Sequence, residues 1–173
     1  MGFPLARLVM VICLATGAAL DAAMGPYSGK GRGELGLVRG LLEGFRPGDV
    51  MLADALYCNY FLIATLMAKG VDVLFEQHGA RITDFRRGQS LGTRDHIVRW
   101  PKPARPQWMT PEQYAHLPGE ITLREVKVAH QVLVTTLLDH RRVGKADLSA
   151  LYARRWNVEL DLRNLKTTRA WTC

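Results

Sequence analysis

The feature that most constrains the fold is a strand–helix–strand series between residues 50 and 77. Residues 50–54, VMLAD, place four apolar residues in succession before an acid. Residues 58–70 are typical of a buried helix that ends at Gly70, and residues 71–77, VDVLFEQ, of a second buried strand. Parallel strands need a long crossover connection, which is usually a helix. The series therefore predicts a parallel βαβ unit in a mixed α/β fold.

The segments on either side of this unit predict further elements. Residues 5–16 and 19–24 are apolar and flank a Gly-Ala turn, which favours an antiparallel hairpin. Residues 33–45 carry apolar residues at a helical period. Residues 78–120 contain five of the eight prolines, so we expect mostly loop there, with one strand at residues 96–100.

The last third of the chain predicts two strands and then one long helix. Residues 121–139 alternate or run apolar in the manner of two β-strands. An amphipathic helix is predicted from Asp147 to about Lys166. One stripe of this helix is apolar and would dock it on the core; its members are Leu151, Val158, Leu162 and Leu165.

Beside that stripe lies the first candidate constellation, composed of Tyr152, Arg155, Glu159 and Lys166. At about 100° per residue, their spacings of three, four and seven place all four within an arc of roughly 60°. One helix face therefore presents an acid flanked by two cations and a phenol. The alternative is a solvated face with i,i+4 ion pairs such as Arg155 with Glu159.

The second candidate is Asp54, which ends the apolar strand VMLAD. In open α/β sheets, ligands bind at the carboxyl ends of strands. A carboxylate there can reach a metal ion without being buried unpaired. The alternative is an Asp that only forms a turn.

The charge distribution favours a polyanionic partner. The chain has a net charge of +7 and a pI of about 9.7, which indicates nucleic acid or, alternatively, a merely basic soluble protein. Residues 81–108 hold seven basic and two acidic side chains, and residues 141–173 hold eight and three, so each block sums to +5. If the two blocks converge on one surface, that surface would hold a duplex by counterion release.

Two of these features together resemble a known family. The pattern Y-x2-R-x3-E-x6-K over residues 152–166 reproduces the YREK signature of a group of bacterial insertion-sequence DDE transposases, insertion sequence family four. GDVMLADALY at residues 48–57 resembles the segment around the second catalytic Asp of that group. The stretches ARLVMVICLATGAALDAAMGPYSGKG and QHGARITDFRRGQSLGTRDHIVRWP are also similar to its members. The resemblance extends from about residue 2 to about residue 169.

The resemblance implies an RNase H-like fold with a catalytic Asp, Asp, Glu triad. Asp54 would be the second acid and Glu159 the third, both as metal ligands. Two Mg²⁺ or Mn²⁺ ions held by such carboxylates polarise the scissile phosphate and stabilise the leaving oxygen. One partial catalytic domain is implied, with residues 1–77 as its core hairpin and βαβ unit, residues 78–145 as a β-rich insertion and residues 146–173 as its catalytic helix.

The implied partner is double-stranded DNA at transposon ends. Arg155 and Lys166 would contact phosphates, and Tyr152 could donate its hydroxyl to one. Trp156 could stack on a base or, alternatively, anchor the helix as a partly buried side chain. A homodimer is compatible with this function, no membrane partner is expected, and the location would be cytoplasmic.

The sequence departs from the family pattern at its N-terminal end. The family's first catalytic Asp ends a strand ahead of the hairpin, whereas this sequence begins at the hairpin, and Asp21 on its far side does not match. We therefore expect a fragment truncated at both ends, without the first strand and with an exposed sheet edge. With one catalytic carboxylate absent, its DNA strand cleavage and transfer would be impaired.

Two other functions stay open. One is a non-catalytic DNA-binding remnant, which a steep salt dependence of binding would reveal. The other is a small exported or membrane-associated protein, because residues 8–20 resemble the apolar region of a signal peptide and follow Arg7. That run is shorter than the roughly 20 residues that span a bilayer.

Overall fold

The computed structural model describes residues 5–27 and 33–156. These residues form eight strands and four α-helices. In chain order they are β1 (Ala6–Ile12), β2 (Ala19–Pro26), α1 (Glu34–Leu41, continued by a 3₁₀ turn at Leu42–Gly44), β3 (Val50–Ala53), α2 (Tyr60–Ala68), β4 (Asp72–Glu76), β5 (Gln89–Gly92), β6 (Asp95–Pro101), α3 (Pro111–His116), β7 (Glu120–Val128), β8 (Gln131–Thr135) and α4 (Lys145–Ala153).

The strands form two sheets. β1 and β2 make an antiparallel hairpin, and the other six strands make one mixed sheet in the order β3-β4-β8-β7-β6-β5. Within that sheet β3 and β4 are parallel, and every other neighbouring pair is antiparallel. The predicted mixed α/β class, the hairpin and the parallel βαβ unit are therefore confirmed.

The crossover helix α2 begins and ends on residues that fix its length. The Asn59 side chain accepts a hydrogen bond from the backbone N–H of Leu62 at 3.0 Å, which satisfies one of the free donors of the first turn. At the other end Gly70 adopts a left-handed φ of +73°, and Val71 N–H donates to the Leu66 carbonyl. This is a Schellman ending, which favours glycine because a Cβ strains the left-handed conformation. The predicted cap at Gly70 is confirmed.

Alternation along β4 separates two apolar layers. Val73 and Phe75 belong to the larger cluster, which includes α2, α1 and the hairpin residue Val9. Leu74 points to the opposite face and packs with Leu148 of α4. The six-stranded sheet therefore lies between α2 on one face and α4 on the other.

The region predicted to be mostly loop contains more structure than expected. Residues 89–92, QSLG, form β5 by pairing with β6, although their sequence has no strand-like apolar pattern. Helix α3 begins with a capping box in which Thr110 and Gln113 satisfy each other's backbone N–H groups. The loop prediction was wrong at these two places because backbone pairing and capping, rather than apolar burial, define both elements.

The last helix also differs from the prediction at its start. It begins at Lys145 instead of Asp147, because the Asp147 carboxylate reaches back to the Gly144 N–H at 2.8 Å and makes Asp147 the third residue of the first turn. Its predicted continuation to Lys166 lies outside the described residues after residue 156. The division into core, insertion and catalytic helix stays a prediction. In the structure β8 of the insertion pairs directly with β4 of the βαβ unit.

Candidate functional site

The carboxyl ends of the two parallel strands bring two acids together. Asp54 directly follows β3, and Glu76 is the last residue of β4. Because Ala53 is opposite Phe75 in the parallel register, Asp54 and Glu76 occupy adjacent positions at the same sheet edge. Both side chains are half-buried. This is the edge at which open α/β sheets bind ligands.

The turn after β3 holds Asp54 in place. Its Oδ1 accepts the N–H of Leu56 at 2.9 Å, and its carbonyl accepts the N–H of Tyr57 at 3.2 Å. The Tyr57 hydroxyl lies 3.5 Å from Glu34 Oε2 on α1, and burial, assisted by Glu34, raises the pKa of Tyr57 to about 12. The turn-forming role of Asp54 and a role as a ligand are compatible, because the turn bond uses only Oδ1 and leaves Oδ2 for a ligand.

Tyr152 connects helix α4 to both strand ends. Its side chain is 2% exposed, and its hydroxyl lies 3.3 Å from the carbonyl oxygen of Ala53 and 3.4 Å from Oε2 of Glu76. Burial raises the pKa of Tyr152 to about 12; Arg155 opposes this rise, and Glu76 adds to it. The phenol is therefore a protonated donor at neutral pH, and it fixes α4 beside Asp54.

The residues that follow Tyr152 extend toward the surface. The guanidinium carbon of Arg155 lies 5.3 Å from the ring centre of Tyr152 and 4.9 Å from that of Trp156, within cation–π range. The Trp156 side chain is 55% exposed. One aromatic ring of this pair is thus buried against the strands, and the other faces outward with Arg155 between them.

The structure brings together some of the predicted site residues and leaves others undescribed. The Tyr152 hydroxyl contacts the carbonyl oxygen of Ala53, the residue before Asp54. Arg155 stacks beside the Tyr152 ring. Glu159 and Lys166 lie outside the described residues, as do Val158, Leu162 and Leu165 of the apolar stripe. The predicted contact of Tyr152 with DNA stays a prediction, and it requires a conformation in which the hydroxyl leaves Ala53 and Glu76.

Sequence reasoning missed Glu76. The signal was present, because Glu76 stands at the end of a buried strand in the same way as Asp54. Carboxylate oxygens are the ligands that Mg²⁺ prefers, so the donors at this edge fit a divalent cation. Within residues 5–27 and 33–156, no group of three or more His, Cys, Asp or Glu side chains could hold a metal ion.

Buried charged groups fasten strands β6 and β7 to the start of α4. Arg124 on β7 makes a bidentate ion pair with Asp95 on β6, with Nε–Oδ1 at 2.8 Å and Nη2–Oδ2 at 2.6 Å. Its third nitrogen, Nη1, donates to the carbonyl of Val143 at 2.7 Å. The Arg124 side chain has no solvent exposure. The turn that leads into α4 is thereby tied to the sheet.

A second buried group lies on the same two strands. The Glu125 carboxylate accepts the indole N–H of Trp100 at 2.9 Å and lies 3.0 Å from Nε2 of His96. The other ring nitrogen of His96 lies 2.6 Å from the carbonyl oxygen of Arg87. Arg81 stacks over Trp100 at 3.6 Å from the ring centre. These contacts fix the basic loop between β4 and β5 on the sheet.

The residues that raised the question of export lie in the hairpin. Residues 8–20 cover most of β1, the turn and the first two residues of β2. No helix in the described part of the chain is long and apolar enough to cross a membrane.

Comparison with known proteins gives one match. A family model described as a transposase DDE domain matches residues 3–173. No curated protein and no solved structure matches the chain.

Proposed function

The chain belongs to the transposase DDE domain family, and on that premise we propose that it is part of the catalytic domain of a bacterial insertion-sequence transposase of the YREK group. Its ancestral reaction is metal-dependent DNA strand cleavage and transfer at transposon ends. The mixed sheet with helices on both faces is consistent with the RNase H-like fold of such a domain.

The observation that carries the proposal is the contact of Tyr152 with the end of β3. The hydroxyl of Tyr152, the first residue of the YREK pattern, lies 3.3 Å from the carbonyl of Ala53, the residue before Asp54. The two sequence features behind the resemblance are almost a hundred positions apart, yet they meet at one sheet edge. If the pattern had arisen by chance on a solvent-exposed helix face, no contact with an acid at the carboxyl end of a strand would be expected.

Each site residue has a role in this proposal. Asp54 and Glu159 would hold Mg²⁺ or Mn²⁺, which supplies Lewis-acid stabilisation of the phosphate when bound. Arg155 and Lys166 contact DNA phosphates, and Trp156 offers an exposed ring to a base. In the described conformation Tyr152 positions the helix instead of touching DNA.

The edge of the sheet beside this site is open. Among the described residues β3 pairs with β4 alone. Its sequence, VMLA, carries no charge or proline that would protect an edge strand from pairing.

The second candidate is a non-catalytic DNA-binding remnant. It is favoured by the net charge of +7. It predicts duplex binding without any dependence on divalent cations.

Both candidates predict salt-dependent binding to duplex DNA. Each phosphate contact lowers the slope of log K against log salt concentration by about 0.9, so three or more contacts give a slope of about −3 or steeper. Fluorescence anisotropy with a labelled 20-base-pair duplex between about 50 and 200 mM salt measures this slope. A folded chain that fails to bind at the lowest salt would contradict both DNA-related functions.

A further inference from the structure

The two basic blocks of the sequence meet at the start of α4. Lys145 Nζ donates to the carbonyl of Thr93 at 3.1 Å, which joins the first turn of α4 to the turn between β5 and β6. Arg94 is the other residue of that turn, and the buried Arg124 ties its neighbour Asp95 to Val143, the residue after Arg142. Arg94 comes from the first block, whereas Arg142 and Lys145 come from the second.

We propose that this junction is a surface for the sugar–phosphate backbone of duplex DNA. The junction surface consists of Arg94, Arg141, Arg142 and Lys145, all of them exposed. The proposal rests on the transposase function proposed above and assigns its DNA contact to particular residues outside the YREK helix face.

The charges of the junction surface are not neutralised by neighbouring acids. In the part of the chain that the structure describes, no ion pair joins any of its four cations to a carboxylate. Asp95, next to Arg94, is paired with the buried Arg124, and the two acids closest to residues 141–145 are engaged by the main chain. Asp139 Oδ1 accepts the N–H of Arg141 at 3.0 Å, and Asp147 caps Gly144.

Other exposed arginines of the insertion differ in this respect. Arg86 and Arg87 both pair with Asp84, and Arg99 pairs with Glu120 at 3.0 Å. The carboxylate beside a paired guanidinium offsets its positive charge and repels a phosphate. The junction surface therefore offers cations without an adjacent paired carboxylate, which can release counterions from DNA.

The position of the junction surface suits a duplex that also reaches Asp54. Lys145 and Tyr152 lie seven residues apart on α4, which corresponds to about 10 Å along the helix axis. One strand of a duplex advances 3.4 Å per base pair, so about three base pairs separate the two ends of α4. A duplex lying along α4 would place one phosphate near Asp54 and others on the junction surface.

The residue types indicate backbone contact rather than base recognition. Residues 140–145, HRRVGK, and the Thr93–Arg94 turn contain no Phe, Tyr or Trp that could stack on an unpaired base. Arginine and lysine contacts to phosphates position a protein on a duplex without reading its sequence. Binding through this surface should therefore be insensitive to base sequence.

A matched pair of triple variants tests the proposal with a labelled 20-base-pair duplex. The test variant carries Arg94→Gln, Arg142→Gln and Lys145→Gln, and the control carries Arg86→Gln, Arg87→Gln and Arg99→Gln. Both remove three positive charges, so the net charge changes equally. We expect the test variant to lose about two to three units of the salt slope and the control to lose less than about one.

The outcomes separate this proposal from the function on which it rests. Wild-type protein that does not bind duplex DNA would refute the proposed function itself. Wild-type binding with equal losses in the two variants would refute the junction surface while leaving DNA binding intact. A double variant, Arg141→Gln with Arg142→Gln, changes only the turn before α4. It is expected to make the slope less negative by about two units even if the triple variant folds poorly.

Discussion

Replacing Asp95 with Asn is expected to lower the free energy of unfolding by about 3–5 kcal/mol. The Arg124 side chain has no solvent exposure, and Asp95 provides both oxygens of its bidentate ion pair. The substitution keeps the size of the side chain and removes its charge, so a buried guanidinium loses its counterion. It also turns an N–H donor of the new amide toward the donors of Arg124.

Urea or thermal unfolding followed by circular dichroism measures this loss. The matched control is Glu120→Gln, which breaks the exposed ion pair with Arg99 and should cost less than about 1 kcal/mol. An apolar replacement of the whole pair, Asp95→Leu with Arg124→Met, should recover much of the stability, because no charge is then left buried. A loss below about 1 kcal/mol for Asp95→Asn would mean that Arg124 is hydrated and that strands β6 and β7 are not tied to α4 in this way.

Leu148→Ala is the second change with a large expected effect, a loss of about 2–5 kcal/mol. Leu148 has no solvent exposure and packs with Leu74 and Leu133 on the face of the sheet opposite α2. Truncation removes apolar contact and leaves a cavity beneath α4. Because Leu148 lies one turn before Tyr152, the cavity also weakens the attachment of the helix at Ala53 and Glu76.

The control for Leu148→Ala is the same substitution at an exposed leucine. Leu8 on β1 is 57% exposed, and its replacement by Ala should change stability by less than about 0.5 kcal/mol. Hydrogen exchange then shows where the Leu148 variant is loosened, with faster exchange expected in α4 and not in α2. Equal losses of stability in the two leucine variants would contradict the docking of α4 on the sheet.

The parts of the fold that were predictable are those in which burial leaves a pattern in the sequence. The apolar runs of residues 50–54 and 71–77, with a capped helix between them, predicted the βαβ unit and the position of Asp54. Strand β5 was not predictable in this way, because QSLG is held by backbone hydrogen bonds to β6. Helix α3 buries none of its residues, so its capping residues were its only signal.

The side chains of the site were harder to predict than the strands. The spacing of the YREK pattern placed Tyr152 on one helix face with Arg155. It could not show that Tyr152, the first residue of the pattern, is buried against the sheet. Leu148, four residues before Tyr152, marks that core face and was left out of the predicted apolar stripe. Asp95 and Arg124 follow the alternation expected of a solvated strand face. Their burial depends on a partner from another strand, which a single sequence does not identify.

We propose that Asp54 and Glu159 converge on a divalent metal ion. Titration calorimetry with Mn²⁺ on the wild type and on an Asp54→Ala, Glu159→Ala variant tests it most directly. An Asp21→Ala, Glu43→Ala variant is the control, because it removes the same charge at exposed positions of the hairpin and α1 end. We expect binding by the wild type and by the control, and none by the Asp54→Ala, Glu159→Ala variant. Equal Mn²⁺ affinity in all three proteins, or no binding by a folded wild type, would contradict the metal site and leave DNA binding as the function.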